Sequence, residues 1–488
     1  MSISKVTPFL SDIKTFFRNS DMTKAMHALS GILAAVRMTE RDTITVRSKR
    51  NCLYPLLSVF QCLLLFPCFG IKNVWSNHRY GTMSSLIKAR KDVFYRFMDN
   101  PQISWRKAMW HMSVQLWNRV QVRSDHKAGD VCLILDDTDH EKTGRTIERI
   151  GRVHSHLSHK SVLGFKCLCM AVTDGVSQML LDFSLLGEKG KGKSYDMSAR
   201  ELGRRHVTAH DSHVLKEREE EYDRSKIELS MEMIRRAIRH RVRFSYVLAD
   251  SWFTCKEIIR FIHRLRTGCH WLGMIKVGEN GKTKYRTGHG DLTAPAMVKR
   301  GKSLGLKRYS RKLKCHYIVF DAVFGGVDVR IFLVRRTRHG RWNGLLTTDV
   351  DMDFLKAWEI YSRRWSLEVV FSDCKGNLGF GKCQSTSFAA QIASATICCL
   401  QYNLLSVARR FSDYETIGGL FREITRETVQ LSVAQQIWGL LQELVSAVAA
   451  AFGLLDEEVY DVIINKSEDI AHIAKFFNLA AVDSTCET

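Results

Sequence analysis

Hydrophobic and polar positions along the chain predict helices at both ends and strands in the middle. Residues 84–97 and 104–122 are two amphipathic stretches joined by a turn around Pro101. In the second stretch Trp110, Val114 and Trp117 recur at helical spacing, which predicts a stripe facing a core. We predict a helical N-terminal region, which is either a DNA-binding helix–turn–helix or a helical bundle with solvated lysines.

The central part of the chain has the pattern of a mixed α/β sheet. Four apolar runs predict buried strands, and two amphipathic runs, one before and one after the last of these strands, predict helices. The strands are expected at 131–135, 161–175, 177–187 and 244–250, and the helices at 225–240 and 256–266. The polar segment 189–224 is predicted to be a mobile basic loop.

A different pattern begins near residue 270. Four strand-like segments separated by glycine-rich turns follow up to residue 348, and eight of the sixteen residues of 299–314 are lysine or arginine. This predicts an inserted β domain with a basic arm. Helices are expected again from Met352 to about Lys375, over 389–410 and over 431–452.

One apolar stretch, residues 53–71, is long enough to span a bilayer. Pro55, Gln61, Pro67 and Gly70 interrupt it. We therefore predict a buried core helix and no membrane partner.

The charge of the chain is high and unevenly distributed. The 488 residues carry a net charge of +22, which favours a polyanionic partner such as nucleic acid. From Asp413 onward four basic and thirteen acidic residues give −9, so residues 1–412 carry +31. A DNA-binding body with an acidic protein–protein element at its end fits this distribution.

The cysteines and the N-terminus indicate a cytoplasmic protein. Fourteen cysteines occur without any C-x-x-C pair, and several lie in apolar runs, as Cys62 and Cys132 do. This is typical of free thiols in a reducing compartment. The first residues do not have the pattern of a signal peptide.

Two acids follow predicted buried strands: Asp137, after 131–135, and Asp250, after 244–249. Ligands bind at the carboxyl ends of strands in α/β sheets. Each acid alone is more often a cap or turn residue, and the neighbouring Asp136 leaves open which aspartate is the functional one.

A third group of charged residues lies on a predicted helix. Tyr361, Arg364, Glu368 and Lys375 form the pattern Y-x2-R-x3-E-x6-K, and at 100° per residue they share one helix face. The alternative is a surface ion pair between Arg364 and Glu368. Together with the two aspartates, the group predicts a two-metal phosphoryl-transfer site, for which Mg²⁺ is the expected ion.

These motifs resemble those of DDE transposases of bacterial insertion sequences, specifically the insertion-sequence-four family with its Y-R-E-K signature. The matching pieces are LILDDT, YVLADSWF and the signature from Tyr361 to Lys375. The resemblance implies a ribonuclease H-like catalytic domain in which Asp137, Asp250 and Glu368 bind Mg²⁺, with Mn²⁺ as a substitute. Asp137 is chosen because it directly precedes Thr138, as in the family motif.

The resemblance also implies roles for the remaining residues. Arg364 and Lys375 would hold phosphates of the transposon end, and Tyr361 would contact the DNA backbone. The family typically excises its element by cut-and-paste through a hairpin, with a flipped base stacked on a tryptophan, for which Trp342 is the positional candidate.

The domain division expected on this basis has five parts. They are a helical DNA-binding region (1–125), the first part of the ribonuclease H-like domain (126–268), the inserted β domain (269–348), the second part of the ribonuclease H-like domain (349–412) and an acidic helical region for dimerisation (413–488).

The expected function is cut-and-paste transposition by a homodimer that binds double-stranded DNA, both terminal inverted repeats and target, in the bacterial cytoplasm at the nucleoid. Two alternatives stay open: a catalytically silent, transposase-derived DNA-binding protein, and a structure-specific nuclease on the same fold.

Overall fold

The computed structural model describes residues 36–49, 51–66, 71, 73–80, 88–122, 131–155, 158–190, 192–208, 210–278 and 281–410. The acidic region 413–488, with the helix predicted at 431–452, lies outside these residues. So do residues 1–35 of the N-terminal region.

A single sheet of twelve strands organises the described part of the chain. Its strands are β1 (Cys132–Glu141), β2 (Gly151–Ser155), β3 (Lys160–Thr173), β4 (Gln178–Leu186), β5 (Tyr246–Ala249), β6 (His270–Ile275), β7 (Lys284–Thr287), β8 (Gly290–Thr293), β9 (Arg308–Ser310), β10 (Cys315–Phe324), β11 (Val327–Arg335) and β12 (Asn343–Thr347). Neighbouring strands follow the order β2-β3-β1-β5-β6-β12-β11-β10-β7-β8, with β4 also paired to β3 and β9 to β10.

Strand directions define a common edge of this sheet. Strands β1, β5 and β6 are parallel, so their carboxyl ends lie on the same side. Strands β12, β11 and β10 then alternate in direction, which brings the start of β12, the end of β11 and the start of β10 to that side as well. We call this side the carboxyl edge.

Helices cover the sheet and form the N-terminal part. They are α1 (Leu56–Leu65), α2 (Val74–Tyr80), α3 (Lys91–Met98), α4 (Trp105–Val122), α5 (Ala199–Gly203), α6 (His213–Glu221), α7 (Lys226–Arg239), α8 (Lys256–Leu265), α9 (Ala294–Ser303), α10 (Phe354–Ser362), α11 (Trp365–Asn377) and α12 (Phe388–Arg410). A short π-helical turn, Glu40–Ile44, precedes them.

Two apolar helices lie in the core. The helix predicted within 53–71 is found as α1, and eight of its ten residues are buried. Among the described residues only α12 is long and apolar enough to cross a membrane, yet 94% of its most apolar window is buried inside the protein. Asn403 of α12 accepts a hydrogen bond from the backbone N–H of Leu180 in β4, at 2.8 Å, and donates one to its carbonyl, at 2.7 Å. These contacts fix α12 against the sheet as a core helix.

A buried ionic network joins the N-terminal helices to the sheet. The Asp182 carboxylate of β4 is only 2% exposed and accepts hydrogen bonds from Arg106 of α4, at 3.2 Å, and Arg236 of α7, at 2.6 Å. Glu221 of α6, also buried, binds Arg106 at 2.6 Å and Arg218 at 3.2 Å. Burial opposes ionisation of Asp182, but Arg106 and Arg236 hold its pKa below the usual range. The charges are thus satisfied by each other.

Two predictions about local structure were wrong. The segment 189–224 contains α5 and α6, because several of its polar residues are the buried ion pairs just described. The strand predicted at 131–135 does not end at residue 135. It is β1, which continues to Glu141 because the long strand β3 pairs with it as far as the Glu141–Gly164 pair. Asp136 and Asp137 therefore lie within a strand, just beyond the last β1–β5 pair, Leu135 with Ala249.

The boundary predicted between residues 268 and 269 falls directly before β6. This strand pairs in parallel with β5, so the strands predicted as an inserted β domain continue the same sheet. The sheet thus extends without a break from the acidic strands to the basic segment 299–314.

Candidate active site

Asp136 and Thr138 point to one face of β1, since successive side chains of a strand alternate between its faces. On that face the Asp136 carboxylate accepts a hydrogen bond from Arg364, with a distance of 2.7 Å between Nη1 and Oδ2. The Thr138 hydroxyl accepts one from Lys375, at 2.7 Å from Nζ. Lys375 of α11 and Arg364, the residue before this helix, thus both contact β1, and both belong to the predicted Y-R-E-K pattern.

Asp137 points to the other face. Its Oδ1 lies 3.1 Å from Nζ of Lys226, and its Oδ2 lies 3.7 Å from Nζ of Lys166. Lys166 is 1% exposed and forms an ion pair with Asp139. The structure therefore does not bring Asp137 together with the other predicted site residues, and Asp136 takes its place beside Arg364.

Asp250 follows β5 at the carboxyl edge. Its Oδ1 accepts a hydrogen bond from the backbone N–H of Trp252 at 2.8 Å, which fixes the carboxylate at the start of the turn. Its negative charge raises the pKa of Asp136, so the two carboxylates lie within electrostatic reach of each other.

The predicted continuous helix is two helices. Arg363 and Arg364 lie between α10 and α11, where Arg364 is the N-cap residue of α11. The guanidinium of Arg364 donates to Glu368 Oε1 at 2.7 Å as well as to Asp136, so it bridges two acids from different elements. The sequence left open that Arg364 and Glu368 form only a surface ion pair. In the structure this pair is part of a bridge that also includes Asp136, and the Arg364 side chain is largely buried.

Tyr361 completes the cluster from α10. Its hydroxyl donates to the carbonyl of Ala249 at 3.4 Å, directly before Asp250. Burial, with the charges of Asp250 and Asp136, raises the pKa of Tyr361, so the phenol is neutral. The structure thus brings five of the predicted residues together with Asp136. They are Tyr361, Arg364, Glu368, Asp250 and, through Thr138, Lys375.

The electrostatics of Asp136 reveal a concentration of negative charge. Burial raises its pKa most, and Asp250 and Asp137 raise it further against the opposing effect of Arg364, to about 7. Carboxylates converging at a partly buried point are stabilised by a cation. In this structure the Arg364 guanidinium supplies that charge.

The donor set determines which metal could be held here. Three carboxylates offer only oxygen ligands, which suit hard divalent cations. Within the described residues no three acidic, histidine or cysteine side chains converge closely enough to hold a metal ion. Arg364 lies between Asp136 and Glu368, so shared metal binding by these acids requires the guanidinium to move.

A family model describing a transposase DDE domain matches residues 127–404, more than half of the chain and every residue of this cluster. The chain belongs to the DDE transposases. Enzymes of this family cleave and transfer nucleic acid with divalent metal ions, and DNA is their partner.

Other comparisons are more distant. No curated protein matches the sequence of this transposase. Among solved structures, the piggyBac transposase synaptic complex with hairpin DNA is similar, with a TM-score of 0.41 and 12% identity over 88% of this chain and 81% of that one.

Basic residues of the transposase lie at the same carboxyl edge as its acids. All eight lysines and arginines of 299–314 are exposed, and within the described residues none of them forms an ion pair with a carboxylate. The turn 311–314 directly precedes β10, and Arg336, Arg338 and Arg341 lie in the turn between β11 and β12. We call the basic residues of these two turns the basic edge: Arg311, Lys312, Lys314, Arg336, Arg338 and Arg341.

Trp342 also lies at this edge, directly before β12. Its half-buried ring is flanked by two cations, Lys302 with Nζ at 5.8 Å and Arg335 with Cζ at 5.0 Å from the ring centroid. Its role in base stacking stays a prediction. Sequence reasoning missed a second tryptophan near the acids, Trp252, which is 42% exposed.

Proposed function

We propose that this DDE transposase moves an insertion sequence by cut-and-paste transposition, and that it is a member of the insertion-sequence-four family. The observation that carries the proposal is the cluster in which Arg364 bridges Asp136 and Glu368 next to Asp250. The spacing from Tyr361 to Lys375 and the contacts of all four signature residues support the Y-R-E-K assignment.

The strand order supports a ribonuclease H-like core. Strands β4, β3 and β1 are antiparallel neighbours, and β5 and β6 follow β1 in parallel, which is the arrangement of that fold. In this arrangement the acids of β1, β5 and α11 are Asp136, Asp250 and Glu368. We therefore propose Asp136, rather than Asp137, as the first acid of the triad.

Mg²⁺, which Mn²⁺ can replace, is the proposed metal. When bound by Asp136, Asp250 and Glu368, it would activate the attacking oxygen and stabilise the leaving oxygen. The protein's own groups would orient the DNA. A phosphate that draws Arg364 away from the acids would be bound bidentately by its guanidinium. Lys375, which contacts Thr138 on the same face of β1, would bind a phosphate of the same strand. The half-buried phenol of Tyr361, which donates to the Ala249 carbonyl, holds this side of the site in place.

The basic edge is the proposed track for DNA. Its exposed cations lie along the same side of the sheet as the acids, so a duplex bound there reaches the site without leaving the edge. The proposed substrates are the terminal inverted repeats and a target duplex, and the proposed location is the bacterial cytoplasm at the nucleoid.

Substitution of Asp250 tests this function. Wild type and Asp250→Ala are each incubated with the DNA flanking the protein's own reading frame, with Mg²⁺ and with EDTA. We expect metal-dependent nicks at matched inverted repeats for wild type only, because Asp250→Ala removes a metal ligand. Binding of the ends in a gel shift should be retained by the variant.

Each other outcome rejects the proposal in a different way. Cleavage retained by Asp250→Ala excludes the triad. Binding without cleavage by wild type indicates a catalytically silent DNA-binding protein. Preference for four-way junctions over linear repeats indicates a structure-specific nuclease.

Cutting two ends together requires two active sites, so we propose a homodimer assembled through residues 413–488. Truncation at about residue 412 should preserve binding of single ends and eliminate complexes that hold two ends, as observed in a gel shift with ends of two lengths. If the truncated protein still pairs ends, the dimer contact lies elsewhere in the chain.

A further inference from the structure

The guanidinium of Arg364 lies between the two acids that a shared metal ion would require. Its Nη1 lies 2.7 Å from Asp136 Oδ2, and its Nη2 lies 2.7 Å from Glu368 Oε1. The other oxygen of Asp136, Oδ1, accepts a hydrogen bond from the backbone N–H of Asp137 at 2.9 Å. Both oxygens of Asp136 thus have a donor, and short hydrogen bonds between ionised groups are among the strongest in proteins. The guanidinium therefore competes with a divalent cation for these carboxylates.

The bridging position does not satisfy the whole guanidinium. A guanidinium has five N–H donors, and Arg364 uses those of Nη1 and Nη2 for the acids. Its Nε is buried and has no hydrogen-bond partner among the described residues. A buried donor without an acceptor costs free energy. The bridging position is thus stabilised by two acids and destabilised by one unsatisfied N–H.

A phosphodiester offers what this position lacks. Two of its oxygens can accept hydrogen bonds side by side, from Nε and from one Nη of an arginine. Lys375, which donates to the neutral hydroxyl of Thr138 at 2.7 Å, adds a second positive charge on the same face of β1. A ligand shifts a side chain between two positions only if it binds one of them better. A phosphate meets this condition, because it binds Arg364 only when the guanidinium leaves the acids.

We propose that Arg364 makes metal binding by this transposase depend on DNA. In the free protein the guanidinium holds Asp136 and Glu368 and excludes a divalent cation, and a DNA phosphate that binds the guanidinium releases both acids. The inference rests on the proposed function, because it takes these acids as metal ligands and DNA as the source of the phosphate. Linkage requires that a metal ion raise the affinity for DNA by the same factor by which DNA raises the affinity for the metal.

Mn²⁺ binding in the absence of DNA tests the competition. Mn²⁺ is titrated into each protein in mildly alkaline buffer, and the free ion is measured by electron paramagnetic resonance. Arg364→Gln should bind Mn²⁺ about 5- to 150-fold more tightly than wild type, the usual range for coupling between two ligands. Adding Asp250→Ala to Arg364→Gln should weaken binding again, which assigns the bound ion to the acidic cluster.

The neighbouring arginine is the matched control. Arg363→Gln removes the same charge from a residue whose Nη2 lies 3.9 Å from Glu359 Oε1. It should leave the affinity for Mn²⁺ as in wild type. Arg364→Lys keeps the positive charge without the planar fork that bridges both acids, so it should be intermediate. It replaces Arg364→Gln if circular dichroism shows that the glutamine variant does not fold.

An end duplex tests the coupling. The duplex is cut in advance at the transposon end, and its 3′-terminal nucleotide lacks a hydroxyl, so that it is bound but not joined. After subtraction of the Mn²⁺ bound by the duplex alone, DNA should raise the affinity of wild type for Mn²⁺ by about 5- to 150-fold. It should raise that of Arg364→Gln far less, because the acids of this variant are already released.

The inference is overturned if free wild type binds Mn²⁺ as tightly as Arg364→Gln, or if Arg363→Gln strengthens binding as much. If wild type binds the duplex but its affinity for Mn²⁺ does not change, this inference alone is rejected. Failure of wild type to bind any end rejects the proposed function, and the inference with it.

Discussion

Asp136→Asn should nearly abolish strand cleavage, whereas Asp137→Asn should reduce it far less. The first substitution removes a carboxylate from the face shared with Arg364 and Glu368, and we expect a loss of about 10²–10³-fold, as for other groups that stabilise charge in a transition state. The second alters only the support of Lys226, so about a tenfold loss is expected, at the lower end for residues outside the primary site. Nicking of a labelled end duplex in Mg²⁺ measures both.

A sulfur substitution provides the matched control. Asp136→Cys should be inactive with Mg²⁺ and partly restored by Mn²⁺, because a thiolate is a poor ligand for Mg²⁺. Asp137→Cys should not depend on the metal in this way. An inactive Asp137→Asn beside an active Asp136→Asn would instead make Asp137 the metal ligand, against the geometry of β1.

Asp182→Ala should destabilise the protein by about 3–5 kcal/mol, the usual effect of removing one partner from a buried charge network. The substitution leaves Arg236 and part of Arg106 without their carboxylate in the interior. Urea unfolding followed by tryptophan fluorescence measures the loss, since buried Trp110 also donates to Asp182, at 3.3 Å.

Asp321→Ala is the control for this substitution. Asp321 binds Arg330 at 2.8 Å but is 66% exposed, and exposed ion pairs contribute about 0–1 kcal/mol. Equal effects of the two substitutions would mean that the network around Asp182 does not hold the N-terminal helices on the sheet.

The sequence predicted the element types well where one physical signal dominated. The apolar runs that end at Leu135 and Ala249 are strands, and the helix stripe of Trp110 and Trp117 is buried, because burial of apolar residues decides both. The signature from Tyr361 to Lys375 does form one cluster, although it spans two helices.

The choice between Asp136 and Asp137 could not be made from the sequence. Apolarity ends at Leu135, so the strand was expected to end there, and alternation could not be applied to the polar residues that follow. Only pairing with β3 extends β1 and assigns Asp136 and Thr138 to one face. The partner strand is distant in sequence, and its register is a tertiary property.

The ionic network was hidden for a related reason. The segment 189–224 is polar, which is typical of a loop, yet Arg218 and Glu221 are buried because each meets charges from other elements. The composition of a segment shows that burying its charges would cost free energy, but it does not show which oppositely charged residues of other elements would pair with them. Hence polar segments that fold through ion pairs resemble mobile ones.

The unbroken sheet between the acids and the basic edge also acts as a spacer of fixed length. Four strand intervals separate β5 from β10, and at about 4.8 Å each they amount to roughly 19 Å. Duplex DNA rises about 3.4 Å per base pair, so this distance corresponds to about six base pairs. Hydrogen-bonded strands do not stretch as a linker does, and one inserted base pair would also rotate the duplex by about a tenth of a turn. For DNA bound as proposed, the interval from anchored phosphate to cut would therefore be a property of the protein, the same at both ends of the element.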